Sequence, residues 1–178
     1  MKKMRSKWVS VFAQIDLKYV TIKLVDGTTP TPNELEITIG EGNLTYTEAR
    51  NIEYTLDRGN LDEVREGDQG PVDVSIDLVW EYLRGSSASG ALPTVEEAFK
   101  KIGNAAAWVS TDTDTCRPYA VDLVVTYAPV PASCGDKEVI TLPDFRYESL
   151  DHDLRAGTVS VSGKCNVTRA SVVRSAQS

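Results

Sequence analysis

The chain has 178 residues, of which 41% are hydrophobic and 25% charged, with a net charge of −7 and an isoelectric point near 4.8. That length suits one domain with a core of ordinary size. The acidic balance argues against salt-sensitive nucleic-acid binding and against an anionic membrane surface, both of which call for basic surface.

The chain opens "MKKMRSKWVSVFAQI". Lys2, Lys3, Arg5 and Lys7 look like the head of a secretory signal, but the apolar run after them is short, is broken by Ser10 and Gln14, and has no A-x-A site behind it. No run approaches the ~20 apolar residues of a membrane span, so synthesis and retention in a cytoplasm are expected. Cys116, Cys134 and Cys165 are odd in number and widely spaced, which does not fit a secreted disulfide framework.

Apolar alternation with period two, the mark of a half-buried strand, recurs along the chain. Val20, Ile22 and Leu24 share one side of "YVTIKLV", and Leu35, Ile37 and Ile39 one side of "ELEITIG". Ile52, Tyr54 and Leu56 alternate with Glu53, Thr55 and Asp57. The longest case is "PVDVSIDLVWEY", where Val72, Val74, Ile76, Leu78, Trp80 and Tyr82 oppose Asp73, Ser75, Asp77 and Glu81. "YAVDLVVTY" and "TVSVSGKCNVT" continue the pattern, the latter with Val159, Val161, Cys165 and Val167 inward. Turn chemistry lies between: "DGTTPTPN" from Asp26, "GEGN" from Gly40, "DRGN" from Asp57, and the small, flexible "RGSSASGALP" from Arg84. One helix is predicted in "PTVEEAFKKIG". Thr94 caps it, Glu97 completes a capping box, Val95, Phe99 and Ile102 share a face, and Gly103 ends it. "NAAAW" extends it after a break. The expected fold is mostly β, a two-sheet β-sandwich or partial barrel with one flanking α-helix.

Chemistry is thinly represented. His152 sits between Asp151 and Asp153, but neighbours on a strand point to opposite faces, so the triplet is no ready-made acid–base pair. Cys116, Cys134, Cys165 and His152 are zinc ligands by type and lack the C-x-x-C pair that makes such a site specific. "GEGNLT" has Thr45 where a dinucleotide fingerprint needs its third glycine. The carboxylates Asp57, Asp62, Glu63, Glu66 and Asp68 lack calcium-loop spacing and read as a solvated hairpin. No catalytic centre, metal or cofactor is expected.

The stretch "NLTYTEARNIEYTLDRGNLDEVREGDQGPVDVSIDLVWEY", with "TCRPYAVDLVVTYAP" and "ITLPDFRYESLDHDLRAGTVSVSGKCNVT", resembles the tail tube (major tail) proteins of long-tailed bacteriophages. The resemblance covers Asn43 to Thr168. It implies a tail-tube-like fold and a structural virion protein, made in the bacterial host cytoplasm, that forms hexameric rings stacked into a hollow tube. Genomic DNA passes through that tube on delivery without specific binding, and the tape measure, tail-tip and terminator proteins are the other partners. Three segments fit as assembly arms of the single domain 1–178: residues 1–10 with Trp8, the loop 84–93 with Arg84, Ser87 and Ser89, and the tail 169–178. Asp73, Asp77 and Glu81, with Glu53 and Asp57 of a paired strand, are candidates for a negative bore wall from which DNA is repelled. A plain solvent face is the other reading of the same residues. The inner tube of a contractile tail is a close variant, and a monomeric β-sandwich binding module is the alternative from another class.

Overall fold

The computed structural model describes residues 17–37, 43–79, 92–130 and 135–176. After a 3₁₀ turn at Leu17–Tyr19 come β1 (Val20–Val25), β2 (Glu34–Ile37), β3 (Leu44–Thr47), β4 (Ile52–Asp57), β5 (Asn60–Glu66) and β6 (Val72–Val79). The helix α1 (Val95–Lys100) and a 3₁₀ turn (Gly103–Ala105) precede β7 (Val121–Tyr127), β8 (Lys137–Asp153), β9 (Thr158–Cys165) and β10 (Ser171–Ser175). Among the described residues the fold is mostly β, with two hydrogen-bonded sheets and one flanking helix, and it does not close into a barrel. The larger sheet runs β2-β1-β7-β8-β9-β6-β3, with β10 added to β8, and the smaller is the hairpin β4–β5.

The 17-residue β8 joins the two halves. Its start pairs with β7 and β10, and its part from Phe145 onward pairs with β9. Between them the register with β7 slips, Leu123 facing Leu142 and Val121 facing Phe145. Pro143 has no N–H to give the ladder, and Asp144 takes a left-handed φ of 52°, so the strand is irregular there. One contiguous core lies between the halves. Ile22, Leu24, Leu35 and Ile37 come from one side, and Val72, Val74, Ile76, Leu78, Val159 and Val161 from the other. The β6 alternation is as the sequence predicts: its four inward residues are at most 3% exposed, while Asp73 and Ser75 face solvent.

α1 has its capping box. Thr94 Oγ1 accepts from Glu97 N at 3.1 Å, and Thr94 N donates to Glu97 Oε2 at 3.0 Å. Phe99 packs edge-on against Phe145, with ring centroids 5.6 Å apart, which fastens the helix to β8.

Three expectations are corrected. Ile52, Tyr54 and Leu56 do alternate on a strand, but every residue of β4 and β5 is exposed, because among the described residues the hairpin pairs only with itself and no layer covers its oily side. The helix stops before Gly103: Lys101 turns left-handed at φ 54°, and Ile102, expected on the packed face, is 50% exposed. Residues 171–175, within the C-terminal stretch expected as an arm, form β10 on the chain's own β8.

Candidate assembly interface

The hairpin β4–β5 turns at Arg58 (φ 49°) and Gly59 (φ 85°), two consecutive residues of positive φ, as a two-residue hairpin loop requires. The register sets Tyr54 opposite Val64 and Leu56 opposite Leu61, with a shift between Thr55 and Leu56 that leaves Asp62 as the extra residue. Period two then puts Ile52, Tyr54, Leu56, Leu61 and Val64 on one exposed face. The other face is polar: Arg65 bonds Glu53 at 2.7 Å, Thr55 faces Glu63, and Asp57 faces Asn60. At the base, Gly67 N donates to Asn51 O at 3.0 Å and Arg50 meets Glu66 at 3.3 Å. A cleft of about 330 Å³ separates this base from Thr168 and Arg169.

A second surface is the outer side of β3, β6, β9 and β8. Pairing aligns Thr47, Asp73, Lys164 and Arg146 in one row, and Thr45, Ser75, Ser162 and Ser149 in the next. Asp77, Ser160 and Asp151 follow. Lys164 Nζ lies 3.8 Å from both Asp73 and Glu148, and Ser160 donates to Asp77 at 2.7 Å. The surface is therefore rich in hydroxyls, with its carboxylates partly balanced. Glu53 and Asp57 are not part of it: β6 pairs with β3 and β9, so the expected pairing of the Glu53 strand with the Asp73 strand does not form. Trp8, Glu81, Arg84, Ser87 and Ser89 lie outside the described residues, as do Trp80, Tyr82 and Cys134.

The β1–β2 loop is held by Asp26, which is only 3% exposed. Its carboxylate accepts from Thr28 N and Oγ1 (3.2 and 2.6 Å), Asn33 N and Nδ2 (2.6 and 2.9 Å) and Val109 N (3.1 Å). Burial pushes its pKa up, and the bonds from Thr28, Asn33 and Val109 outweigh that, so the net shift is downward. "DGTTPTPN" announces a turn in the sequence, but the contact with Val109, 83 residues away, has no sequence signal. Asp112 does the same for the 111–119 loop. It accepts from Asp114 N (2.9 Å), Arg146 (2.6 Å) and Arg117 (3.3 Å), which lower its pKa in that order.

His152 Nε2 is 3.2 Å from Glu96 Oε2 on α1, and Asp153 caps the turn to β9 through Arg155 N and Ala156 N. Cys116 is exposed and Cys165 buried. Burial first, then the negative charges of Asp122 and Asp144, push the Cys165 thiol up to about 12. Among the described residues, no three His, Cys, Asp or Glu side chains group as metal ligands, and no helix is long and apolar enough to cross a membrane.

No family model and no curated protein sequence matches the chain. Solved structures do match in fold. A chain of the sheath-tube complex of the PVC extracellular contractile injection system, in its extended state, has a TM-score of 0.52 at 8% identity, covering 96% of this chain and 99% of that one. A chain of the PVC sheath/tube terminator in extended state gives 0.51 at 8% identity over 92% and 99%. A chain of the tube-terminating cap of the anti-feeding prophage gives 0.51 at 8% identity over 98% and 100%. The fold is similar to that of components of an extracellular contractile injection system and of the anti-feeding prophage, matched over nearly the whole length of both chains.

Proposed function

We propose that the chain is a structural subunit of a phage-tail-like tube, one that polymerises into stacked hexameric rings and has no catalytic role. The observation that carries this is the uncovered β4–β5 hairpin beside open sheet borders. Among the described residues, β2 and β3 end the main sheet without an outer partner, and five apolar side chains of the hairpin face solvent. Exposed strand edges and a bare apolar face are aggregation hazards in a monomer. Head-to-tail contacts that close by rotation remove them in a ring, and contacts that do not close extend the ring into a filament. The fold likeness supports this reading, and the likeness to a chain of a sheath-tube complex favours the inner-tube variant.

In this reading the outer side of β3, β6, β9 and β8, with Asp73 and Asp77, lines the bore, and Glu81 continues the series in sequence. The polar hairpin face with Glu53 and Asp57 extends the wall where copies meet. The carboxylates of this surface, Asp73, Asp77, Glu148 and Asp151, outnumber its cations Lys164 and Arg146, so phosphates meet a net negative wall and the genome slides rather than binds, the repulsion acting within about 8 Å of the wall at physiological salt. Tape measure, tip and terminator proteins are the partners, and the virion-like tail particle is the location.

Electron microscopy of the purified protein at rising concentration tests this. Six-fold rings and stacked tubes are expected, with β6 on the inner wall of the reconstruction. A monomer that never assembles, even on a tail initiator, overturns the reading. Tubes with Asp73 and Asp77 on the outer surface overturn the bore assignment alone.

A further inference from the structure

We infer that the β4–β5 hairpin seats the basic N-terminal segment, residues 1–16, of a second copy of this chain. This rests on the chain being a polymerising subunit and names what meets the hairpin.

Charge complementarity comes first. Strands β4 and β5 with their turn carry five acidic residues and two basic ones. Glu53 is tied to Arg65 and Glu66 to Arg50, whereas Asp57, Asp62 and Glu63 make no ion pair among the described residues. Residues 1–16 carry Lys2, Lys3, Arg5 and Lys7 against the single acid Asp16, in a chain whose net charge is −7. Copies of so acidic a protein repel one another, and a cationic segment laid on the neighbour's acidic hairpin turns that repulsion into head-to-tail attraction.

Shape and pattern agree with charge. Val9, Val11, Ala13 and Ile15 alternate behind the lysines, so an extended segment presents an apolar side of its own. Both outer edges of the hairpin lack a strand partner among the described residues, which suits strand addition: main-chain bonds along the edge, with alternate side chains continuing the Tyr54–Leu61 face. Residues 7–15 extended span roughly 30 Å, enough to follow either strand from end to end.

A second copy is the occupant because of topology. The segment leads into β1, which lies next to β2 and β7, while the hairpin hangs between β3 and β6 at the other end of the sheet order. Reaching the hairpin within one chain means passing the strands that separate β1 from β6 in the sheet order, which consumes much of the segment as linker.

The test uses the full chain with a photo-reactive benzophenone residue at Leu61, mixing nitrogen-15-labelled and unlabelled protein before irradiation, and mass spectrometry of the cross-linked peptides. Links from position 61 to residues 1–16 in mixed-isotope pairs are expected. Links confined to one isotope, links to another hairpin, or no links overturn the inference. Tubes are scored by microscopy in the same samples. Tubes without these links remove the contact and leave the tube; the links without tubes do the reverse. A charge exchange is the second arm. Lys3→Glu with Lys7→Glu is expected to weaken self-association about tenfold, and adding Asp62→Lys with Glu63→Lys to restore it. Failure of that restoration also overturns the inference.

Discussion

Tyr54 stands directly opposite Val64 across the β4–β5 hairpin, and the two side chains are 61% and 52% exposed. In a folded core such a pair stabilises by excluding water; here it does so only when something else covers it. Replacing Tyr54 and Leu56 by serine is therefore expected to change the stability of the isolated subunit by only about 0.5 kcal/mol, as surface substitutions do. The same change is expected to abolish rings and tubes. Denaturant unfolding of dilute protein and microscopy of concentrated protein check the two halves. A large loss of monomer stability would mean that the hairpin face is already covered within the chain.

Asp26 carries the opposite expectation, since its role is internal. Asp26→Ala strips an acceptor from five hydrogen bonds and leaves Val109 N and Asn33 N unmet, a loss of about 3 kcal/mol. The pH dependence follows from the lowered pKa of the folded state. The stabilisation is present at pH above the ordinary carboxylate value of 3.8 and is lost as pH falls through the lower, folded-state value. Acid titration of the melting temperature should thus show a step below pH 3.8 in the natural chain that Asp26→Asn lacks.

These two sites differ in how far the sequence announces them. Strands built on contiguous alternation, such as Val72 to Leu78, are legible because burial of one face dictates every second residue. Period two also marks β4, but it reports that an apolar face exists and is silent on what covers it, so Tyr54 and Leu56 look like core until the pairing is known. The Thr94–Glu97 capping box is likewise local and legible. The early stop at Lys101 is not, because a left-handed lysine has no propensity signal. Long-range polar contacts such as Asp26 to Val109 and Arg146 to Asp112 depend on loops meeting in space. β8 shows no contiguous alternation in the sequence, and Pro143, which has no N–H for the ladder, sits at the irregular point between its two pairings.

Tyr119 offers a gain in stability. Its hydroxyl is buried and has no hydrogen-bond partner among the described residues. Burial, then the nearby negative charge of Asp26, holds its proton on well above the ordinary value of 10.0. The ring itself is useful, packing on the core and lying under Lys101 Nζ at 5.5 Å. Tyr119→Phe keeps the ring and removes the stranded polar group, so a gain of about 1 kcal/mol is expected. Thermal unfolding at pH 7 decides, and a loss of that size would show that the hydroxyl is satisfied in solution.

Gly163 on β9 closes the set, because there the space between strands leaves no room for a side chain. It sits between Val74 of β6 and Tyr147 of β8. A Cβ at this position would lie 2.1 Å from Arg146 O and 2.8 Å from Tyr147 Cα, both backbone atoms that cannot rotate aside. β8 yields poorly at this point, since Arg146 is anchored to Pro118 O at 2.9 Å and to Asp112 at 2.6 Å, and Tyr147 lies against Phe99 of α1, with centroids 6.4 Å apart. Pushing the strands apart would strain the β8–β9 ladder and loosen the helix together. Gly163→Ala is expected to cost about 3 kcal/mol, at the upper end of the range for overpacked sites. Gly70→Ala serves as the control: a Cβ there meets nothing within 4 Å, and a change of no more than about 0.5 kcal/mol is expected. Equal effects of the two alanines in denaturant unfolding would show that β8 and β9 are not packed this closely.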